Sequence, residues 1–259
     1  MKDKFGFLKY KDLFLQLTLR EIKGKYKQSI LGYAWVILVP LLNLLVMSIV
    51  FSYFFRVPTK PIPFVIYLFV GLVPWTFTAN AIASGTSSII ANGSLITKVN
   101  FPREIILLST IASRIIDLIL LSLTLIVFLF IYHVEPKASF LFIPLIFFVQ
   151  LILVIGISLI LSATNVFFRD VENMLVVILT AWMYLTPIFY PPELIPAKIR
   201  FLFGLNPMVG IINAYRNAIF YGVPPPLASF GFSIVISLIF LVAGIMIFRK
   251  LSRSFSDVI

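Results

Sequence analysis

Long apolar segments dominate this chain and decide which solvent surrounds it when it folds. A helix needs about 20 apolar residues to cross the hydrocarbon core of a bilayer. Hydrophobic residues make up 61% of the 259 residues and charged residues only 12%, which leaves too little polar surface for a water-soluble domain. The sequence therefore predicts a single all-α membrane domain over residues 1–259, with six transmembrane helices at 30–55, 64–83, 105–132, 140–168, 174–189 and 227–248.

Prolines and polar residues interrupt the apolar stretch between the last two predicted helices. Neither half of residues 193–221 is long enough to cross, and broken backbone is tolerated at membrane depth only where protein buries it or water lines it. We predict a re-entrant helical hairpin on the outer side, with Asn206 capping its second helix and Pro207 in the first helical position. The residues expected to make this hairpin a gate are Pro187, Asn206, Pro207 and Arg216.

Basic residues are concentrated before the first predicted transmembrane helix. Residues 1–29 carry eight of the 21 lysines and arginines, and their apolar residues share adjoining helical faces, which predicts an amphipathic helix in the membrane interface. An even number of crossings places both termini on one side. The segments on that side hold 14 lysines and arginines and those on the other side hold 6, so the positive-inside rule predicts cytoplasmic termini.

Two polar features lie near the start of the third predicted transmembrane helix. The connector 84–104 is longer than most loops, and its residues 87–97 are expected to form one short helix along the membrane. Within the third helix, Arg114 and Asp117 are three residues apart on one face, where they can form an intramembrane ion pair. Both a structural role and a functional role for this pair remain open.

The chain contains none of the common catalytic or metal-binding motifs. It has no cysteine and no phosphate-binding loop of the form GxxxxGK[ST], and its acidic residues are scattered. Its single histidine, His133, is expected at the membrane interface. We therefore predict neither catalysis nor a bound metal or cofactor in this chain alone.

Several short motifs, in a fixed order, resemble one family of membrane proteins. These are residues 19–32 (LREIKGKYKQSILG) followed by Trp35 and Pro40, then Asn100-Phe101-Pro102, Phe168-Arg169-Asp170-Val171, Leu185-Thr186-Pro187-Ile188 and Leu205-Asn206-Pro207-Met208. The pattern is similar to the transmembrane (permease) subunit of ABC-2-type polysaccharide exporters, which handle O-antigen, capsule and teichoic acid. The likeness covers almost the whole chain, with Glu21 standing where an aspartate is expected.

The resemblance implies a homodimer with two copies of a cytoplasmic ABC ATPase subunit, which would hold ATP and Mg. The substrate would be a polyprenyl-diphosphate-linked glycan, moved from the cytoplasm across the inner membrane. The residues implied in ATPase coupling are Ser87, Ile89, Ile90, Leu95, Arg169 and Asp170, and the cations placed to meet the lipid diphosphate are Arg20, Lys23, Lys25 and Lys27.

Aromatic residues on the first and fifth predicted helices are candidates for the wall of the sugar pathway in this family. They are Tyr33, Trp35, Phe51, Tyr53, Trp182, Tyr184, Phe189 and Tyr190. An ABC-2 exporter of a lipid or hydrophobic drug is an alternative, as is an integral membrane enzyme acting on lipid-linked glycans. The enzyme would need an essential ionisable residue facing a cavity, and Arg114, Asp117 and Arg216 are the candidates.

Overall fold

The computed structural model describes residues 10–25, 29–59, 61–99 and 101–258, and side chains for all of these except 256 and 257. Throughout these ranges the regular structure is helical. The helices are α1 (Lys11–Lys25), α2 (Ala34–Ser48, continued by a π-helical turn Ile49–Phe54), α3 (Phe64–Ala91), α4 (Gly93–Lys98), α5 (Glu104–Ile131), α6 (Ile143–Phe167, after a 3₁₀ turn Ala138–Phe142), α7 (Asp170–Tyr184), α8 (Ala197–Gly204), α9 (Pro207–Arg216, continued by a π-helical turn Asn217–Tyr221), α10 (Leu227–Leu251) and α11 (Phe255–Val258, after a 3₁₀ turn Ser252–Ser254).

Five helical segments in the described part of the chain are long and apolar enough to cross a membrane. They are Ala34–Phe54, Phe64–Ala91, Glu104–Ile131, Ala138–Phe167 and Leu227–Ser254. The predicted fifth crossing, 174–189, is shorter as a helix than expected, because α7 has 15 residues and ends at Tyr184. At 1.5 Å per residue it covers about 22 Å, less than the roughly 30 Å core. The count of six crossings therefore stays a prediction.

Helix α3 forms the centre of the bundle. Of its most apolar window, 78% is buried inside the protein, whereas the corresponding share for α2, α5 and α10 is 22% each. Helices α5, α6, α7, α9 and α2 all pack around it. The predicted end of this helix at residue 83 is wrong, because α3 continues through residues 84–91, where Thr86 and Ser88 are buried between helices.

Glycines let α10 approach its neighbours closely. A Cβ on Gly244 would lie 2.5 Å from the carbonyl oxygen of Gly156 on α6, and a Cβ on Gly210 of α9 would lie 2.3 Å from the carbonyl oxygen of Ser229. Small residues at helix contacts are typical of membrane proteins, because there packing rather than hydrophobic exclusion holds helices together. The last long helix is thereby fixed against both α6 and the second helix of the hairpin.

The bundle has two opposite ends. We call one the terminal face, where the ends of α3 and α10 meet the start of α5: Arg249 lies 3.6 Å from Glu104, and the ring of Phe255 packs against Phe167. The other, the hairpin face, carries α8 and α9. Ser139, before α6, donates a 2.6 Å hydrogen bond to the carbonyl oxygen of Ala218 there.

The amphipathic helix α1 packs on the bundle with one of its two apolar faces. Tyr10, Leu13, Phe14 and Leu17 join the core near the terminal face. Leu15 and Leu19, on the adjoining face, remain exposed. Such a division suits a helix between protein and lipid.

Candidate functional site

The turn after α7 presents carbonyl groups that lie beyond the hydrogen bonds of the helix. The last four carbonyls of any helix lack intrahelical donors, and those of α7 accept hydrogen bonds locally from Leu185, Thr186 and Tyr190. The turn 185–188 after α7 is buried apart from Leu185, so water is not available as a substitute. Side chains from the hairpin donate to three carbonyls of this turn, those of Leu185, Pro187 and Ile188.

Asn206 connects this turn to the start of α9. Its amide group donates to the carbonyl oxygen of Leu185 at 3.2 Å and to Oγ1 of Thr186 at 2.9 Å. Its side-chain oxygen accepts hydrogen bonds from Nε1 of Trp182 at 2.8 Å and from the backbone N–H of Met208 at 3.0 Å. The last contact is the predicted helix cap, with Pro207 as the first residue of α9. All four hydrogen-bonding positions of the amide are used.

Arg216, at the other end of α9, completes the connection. Its side chain is buried, with the residue 3% exposed, and its two terminal nitrogens donate to the carbonyl oxygens of Pro187 at 2.6 Å and Ile188 at 2.9 Å. The guanidinium carbon lies 3.7 Å from the ring centroid of Tyr67 on α3. A cation this deep is tolerated because hydrogen bonds and an aromatic face replace its water.

We call Asn206, Arg216 and the turn 185–188 the clasp. All four predicted gate residues belong to it or, in the case of Pro207, directly follow Asn206. Moving α9 away from α7 would break five hydrogen bonds together. Four of these run from Asn206 or Arg216 to the turn and the fifth joins Trp182 to Asn206.

A buried polar network beside the clasp was not anticipated from the sequence. Gln150 of α6 donates to the carbonyl oxygen of Pro74 at 2.7 Å and to Oγ1 of Thr78 at 2.8 Å, and accepts a 2.9 Å bond from the hydroxyl of Tyr215. The side-chain amide of Gln150 within an apolar segment could have indicated this network, since polar groups at membrane depth are costly unless they are paired. The network fixes α9 against α3 and α6.

The candidate wall aromatics fall into two groups. Tyr33, Trp35, Tyr53 and Tyr184 are exposed, Tyr53 most of all at 75%. Phe51, Trp182 and Tyr190 are half-buried. Phe189 is 1% exposed and stacks on Phe51 with ring centroids 5.3 Å apart. The expectation that Phe189 lines a pathway is therefore corrected: in this conformation it belongs to the core, because the clasp folds the chain after α7 inward.

The ion pair on α5 has a third member from α1. Nη1 of Arg114 lies 3.5 Å from Oδ2 of Asp117, and Nζ of Lys25 forms a salt bridge with the same oxygen. Nε of Arg114 also donates to Oγ of Ser84 at 2.9 Å. Burial lowers the pKa of Lys25, and the hydrogen bond with Asp117 opposes that shift. These charges attach α1 to the bundle.

We expect Asp117→Asn to weaken the fold measurably. Removing the shared anion deprives Lys25 and Arg114, both poorly hydrated, of their common carboxylate, at a cost of about 2 kcal/mol for groups that keep some contact with water. For a chain of this size that corresponds to a fall of roughly 4–8 °C in the unfolding temperature in detergent.

Glu104→Gln is the matched control for Asp117→Asn. Its partner, Arg249, is 73% exposed in its side chain, and exposed pairs contribute less than about 1 kcal/mol. The unfolding temperature should change by about 2 °C or less. Equal shifts for the two variants would contradict the structural importance of the triad.

Two of the cations predicted to meet a lipid diphosphate are engaged within the protein. Arg20 donates to the side-chain oxygen of Asn92, between α3 and α4, and Lys25 binds Asp117. Lys23 is exposed, and Lys27 lies outside the described residues. Arg20 and Lys25 thus act first as attachments of α1.

The predicted coupling helix, 87–97, is divided by the structure. Residues 87–91 form the end of α3, Asn92 marks a bend, and α4 follows as a separate short helix. Ile89 is fully buried, and Ile90 and Leu95 are partly buried, so their role is mainly in packing. The exposed surface at this corner consists of Ala91, Ser94, Thr97, Lys98 and Val99. Arg169 and Asp170, at the start of α7, are exposed as well.

The bundle of long apolar helices, with α8 and α9 held by the clasp on one face, defines a multi-pass helical membrane protein. Family comparison makes this more specific: the chain belongs to the ABC-2 type transporter family, whose model matches residues 12–220. The chain is 32% identical to an O-antigen export system permease protein, RfbA of Klebsiella pneumoniae, over 100% of this chain and 98% of the relative.

Two further relatives extend the comparison. The RfbA permease of Myxococcus xanthus is 32% identical over 82% of this chain and 81% of its own length. The polysialic acid transport protein KpsM of Escherichia coli is 26% identical over 94% of this chain and 95% of its own length. Similarity therefore extends from end to end and includes the hairpin.

Proposed function

We propose that the chain is the permease subunit of an ATP-driven exporter that moves polyprenyl-diphosphate-linked polysaccharide from the cytoplasm across the inner membrane. The observation that carries this proposal is the full-length similarity to permeases named for O-antigen export. The clasp supports it, because a long polar polymer needs a part of the membrane domain that can open and reseal.

Energy for transport would come from another polypeptide. The sequence has no phosphate-binding loop, so ATP and Mg would be held by two copies of a cytoplasmic ATPase subunit. The terminal face offers a docking surface at the corner of α3 and α4, with the start of α7 as a second contact. A push on this corner reaches the clasp through α3, which packs against both α7 and α9.

Two helices have broad faces that one protomer leaves uncovered. Helix α7 buries only Leu175 among its residues, and α2 buries four. Homodimerisation would pair these faces around a shared pathway, flanked by the exposed aromatic residues Tyr33, Trp35, Tyr53 and Tyr184. Flat aromatic rings suit a sugar polymer because they stack on its C–H faces without requiring one linkage.

The charged ends of the chain fit an inner-membrane orientation with cytoplasmic termini. The basic residues near the terminal face would lie next to anionic headgroups, where each contributes about 1 kcal/mol. In the described part of α1, Lys23 is exposed and, unlike Arg20 and Lys25, forms no salt bridge, which leaves it available to meet a lipid diphosphate.

The ionisable residues that would serve a membrane enzyme are committed to structural partners. Asp117 is shared between Lys25 and Arg114, and the terminal nitrogens of Arg216 bond two carbonyls. A general acid or base must be free to exchange a proton with a substrate. The structure thus favours transport over catalysis at these positions.

The direct test is transport by a defined complex. Cells lacking this chain should accumulate the lipid-linked glycan on the cytoplasmic side. Vesicles containing this chain and the ATPase subunit should export it only with ATP and Mg. Purified chain free of other subunits should hydrolyse no ATP. Export of lipid or drug without glycan would contradict the substrate assignment, and glycan polymerisation or ligation by the chain would indicate an enzyme.

We expect Ala91→Asp to reduce co-purification of the ATPase subunit by about tenfold, since a charge at a packed interface commonly costs 1–2 kcal/mol or more. Ala91 is exposed at the α3–α4 corner, so the fold should be unaffected. Ser254→Asp, also exposed and on the same face, is the control and should co-purify normally. Unchanged docking of the Ala91 variant would remove this corner from the interface. Ile89→Asp is unsuitable, because it would disturb the core.

A further inference from the structure

A polar cavity opens on the hairpin face, next to the clasp, and shares Arg216 with it. Its volume is about 430 Å³, within the range of small-molecule sites. The walls come from separate parts of the chain: the loop after α2, the turn between α7 and α8, the second half of the hairpin and the start of α10. Arg216 and Tyr67, both buried, lie at its inner side.

Several polar groups that line this cavity are not used by the protein. In the described part of the chain, the carboxylate of Glu193 makes no salt bridge, and the side-chain amide of Asn213 and the hydroxyl of Tyr221 make no hydrogen bond. Asn213 is half-buried, whereas Glu193 and Tyr221 are exposed. The polar groups of the neighbouring clasp are bonded to one another, whereas these three are available to a ligand.

The lining favours a hydroxyl-rich, uncharged ligand. Among the described lining residues, one carboxylate is balanced by one guanidinium, whose two terminal nitrogens already bond carbonyls of the clasp while its Nε has no partner. An anion would meet the carboxylate of Glu193, and an apolar ligand would leave amide and carboxylate without partners. A pyranose ring satisfies both requirements, since its hydroxyls can bond to Glu193 and Asn213 while a C–H face rests on the ring of Tyr221.

We propose that this cavity binds one sugar unit of a neutral glycan as it leaves the membrane domain. The assignment rests on the proposed export function and adds a residue-level site to it. Glu193 precedes α8 and Asn213 lies on α9, so a bound sugar contacts both arms of the hairpin. Occupancy would therefore favour one position of the hairpin over another.

Saturation-transfer NMR on the purified chain in nanodiscs tests the site directly. The probes are methyl glycosides of glucose, galactose and mannose, with N-acetylglucosamine, and inorganic phosphate as an anionic comparison. At least one neutral sugar should bind in the millimolar range, and Asn213→Ala and Glu193→Gln should each weaken binding at least fivefold. Lys198→Gln, at an exposed position of α8 outside the cavity, should bind like the parent protein.

Misfolding is controlled by the unfolding temperature, which should stay within about 2 °C because the altered side chains make no hydrogen bonds in the described structure. The proposal is overturned if no neutral sugar binds, if phosphate binds more strongly, or if the cavity variants bind sugar normally. Normal glycan export in cells lacking the chain would instead refute the export function and leave a measured sugar site intact. Blocked export together with absent sugar binding would refute the cavity alone.

Discussion

Arg216→Met is expected to cause the largest loss of stability and transport among single substitutions in this chain. The variant keeps the apolar stem but removes both donors to the carbonyls of Pro187 and Ile188, which remain buried. Each unsatisfied carbonyl costs about 1–3 kcal/mol, and together they should lower the unfolding temperature by roughly 10 °C. Export should fall to background even where protein reaches the membrane.

Two further variants separate charge from geometry at this position. Arg216→Lys retains the cation but replaces the planar fork by a single ammonium, so we expect partial stability and strongly reduced export. Gly71→Ala leaves Arg216 in place but puts a methyl group 3.1 Å from Nη2, which should displace the guanidinium slightly and give an intermediate phenotype. Full export and normal unfolding of Arg216→Met would show that the clasp is dispensable.

The helix pair α8 and α9 could be predicted from the sequence because its signals are local, whereas its re-entry into the membrane stays a prediction. Asn206 followed by Pro207 marks a helix start by capping and by the missing N–H, and both act within one turn. The predicted segment 193–221 contains α8, α9 and the π-helical turn that ends at Tyr221, and α9 begins at Pro207 as predicted. Arg216 was recognised as an interruption of an apolar segment.

The partners of these residues could not be predicted, because they are distant in sequence. Nothing near Arg216 indicates that it reaches back to Pro187 or lies over Tyr67, and Arg20 meets Asn92 across more than 70 residues. The burial of Phe189 could not be predicted for the same reason. Its sequence neighbours do not show that the turn after α7 places its side chain in the core.

The error at 84–97 has a different cause. Its serines and threonines read as a loop and a surface helix, because small polar residues usually avoid helix interiors. In the structure, Thr86 and Ser88 are buried and bond to carbonyls of the preceding turn, which allows α3 to continue among its neighbours. The composition of residues 84–97 indicated their polar character correctly but gave the wrong position for the end of α3.

Replacing Asn206 is expected to release the hairpin while leaving the rest of the bundle folded. Asn206→Ser keeps an oxygen that can cap α9 but is too short to replace the amide, so the bonds to Trp182, Leu185 and Thr186 are lost. At about 1 kcal/mol for each hydrogen bond, the closed position should lose roughly 3 kcal/mol, which is more than a hundredfold in the closed-to-open equilibrium.

A buried thiol reports this opening, because the chain has no native cysteine. Met208 is fully buried beside the clasp, so Met208→Cys should react slowly with an impermeant maleimide added from the outside. Combining it with Asn206→Ser should raise the labelling rate by at least tenfold, and with Trp182→Phe, which removes one bond, by less. Val223→Cys, at an exposed position, should label rapidly in every background.

Gly222 is avoided because its φ is +70° and a Cβ there would lie 2.8 Å from the side chain of Lys137. If Met208→Cys labels equally slowly with and without Asn206→Ser, the clasp does not hold the hairpin closed; labelling from the cytoplasmic side alone would instead refute the proposed orientation.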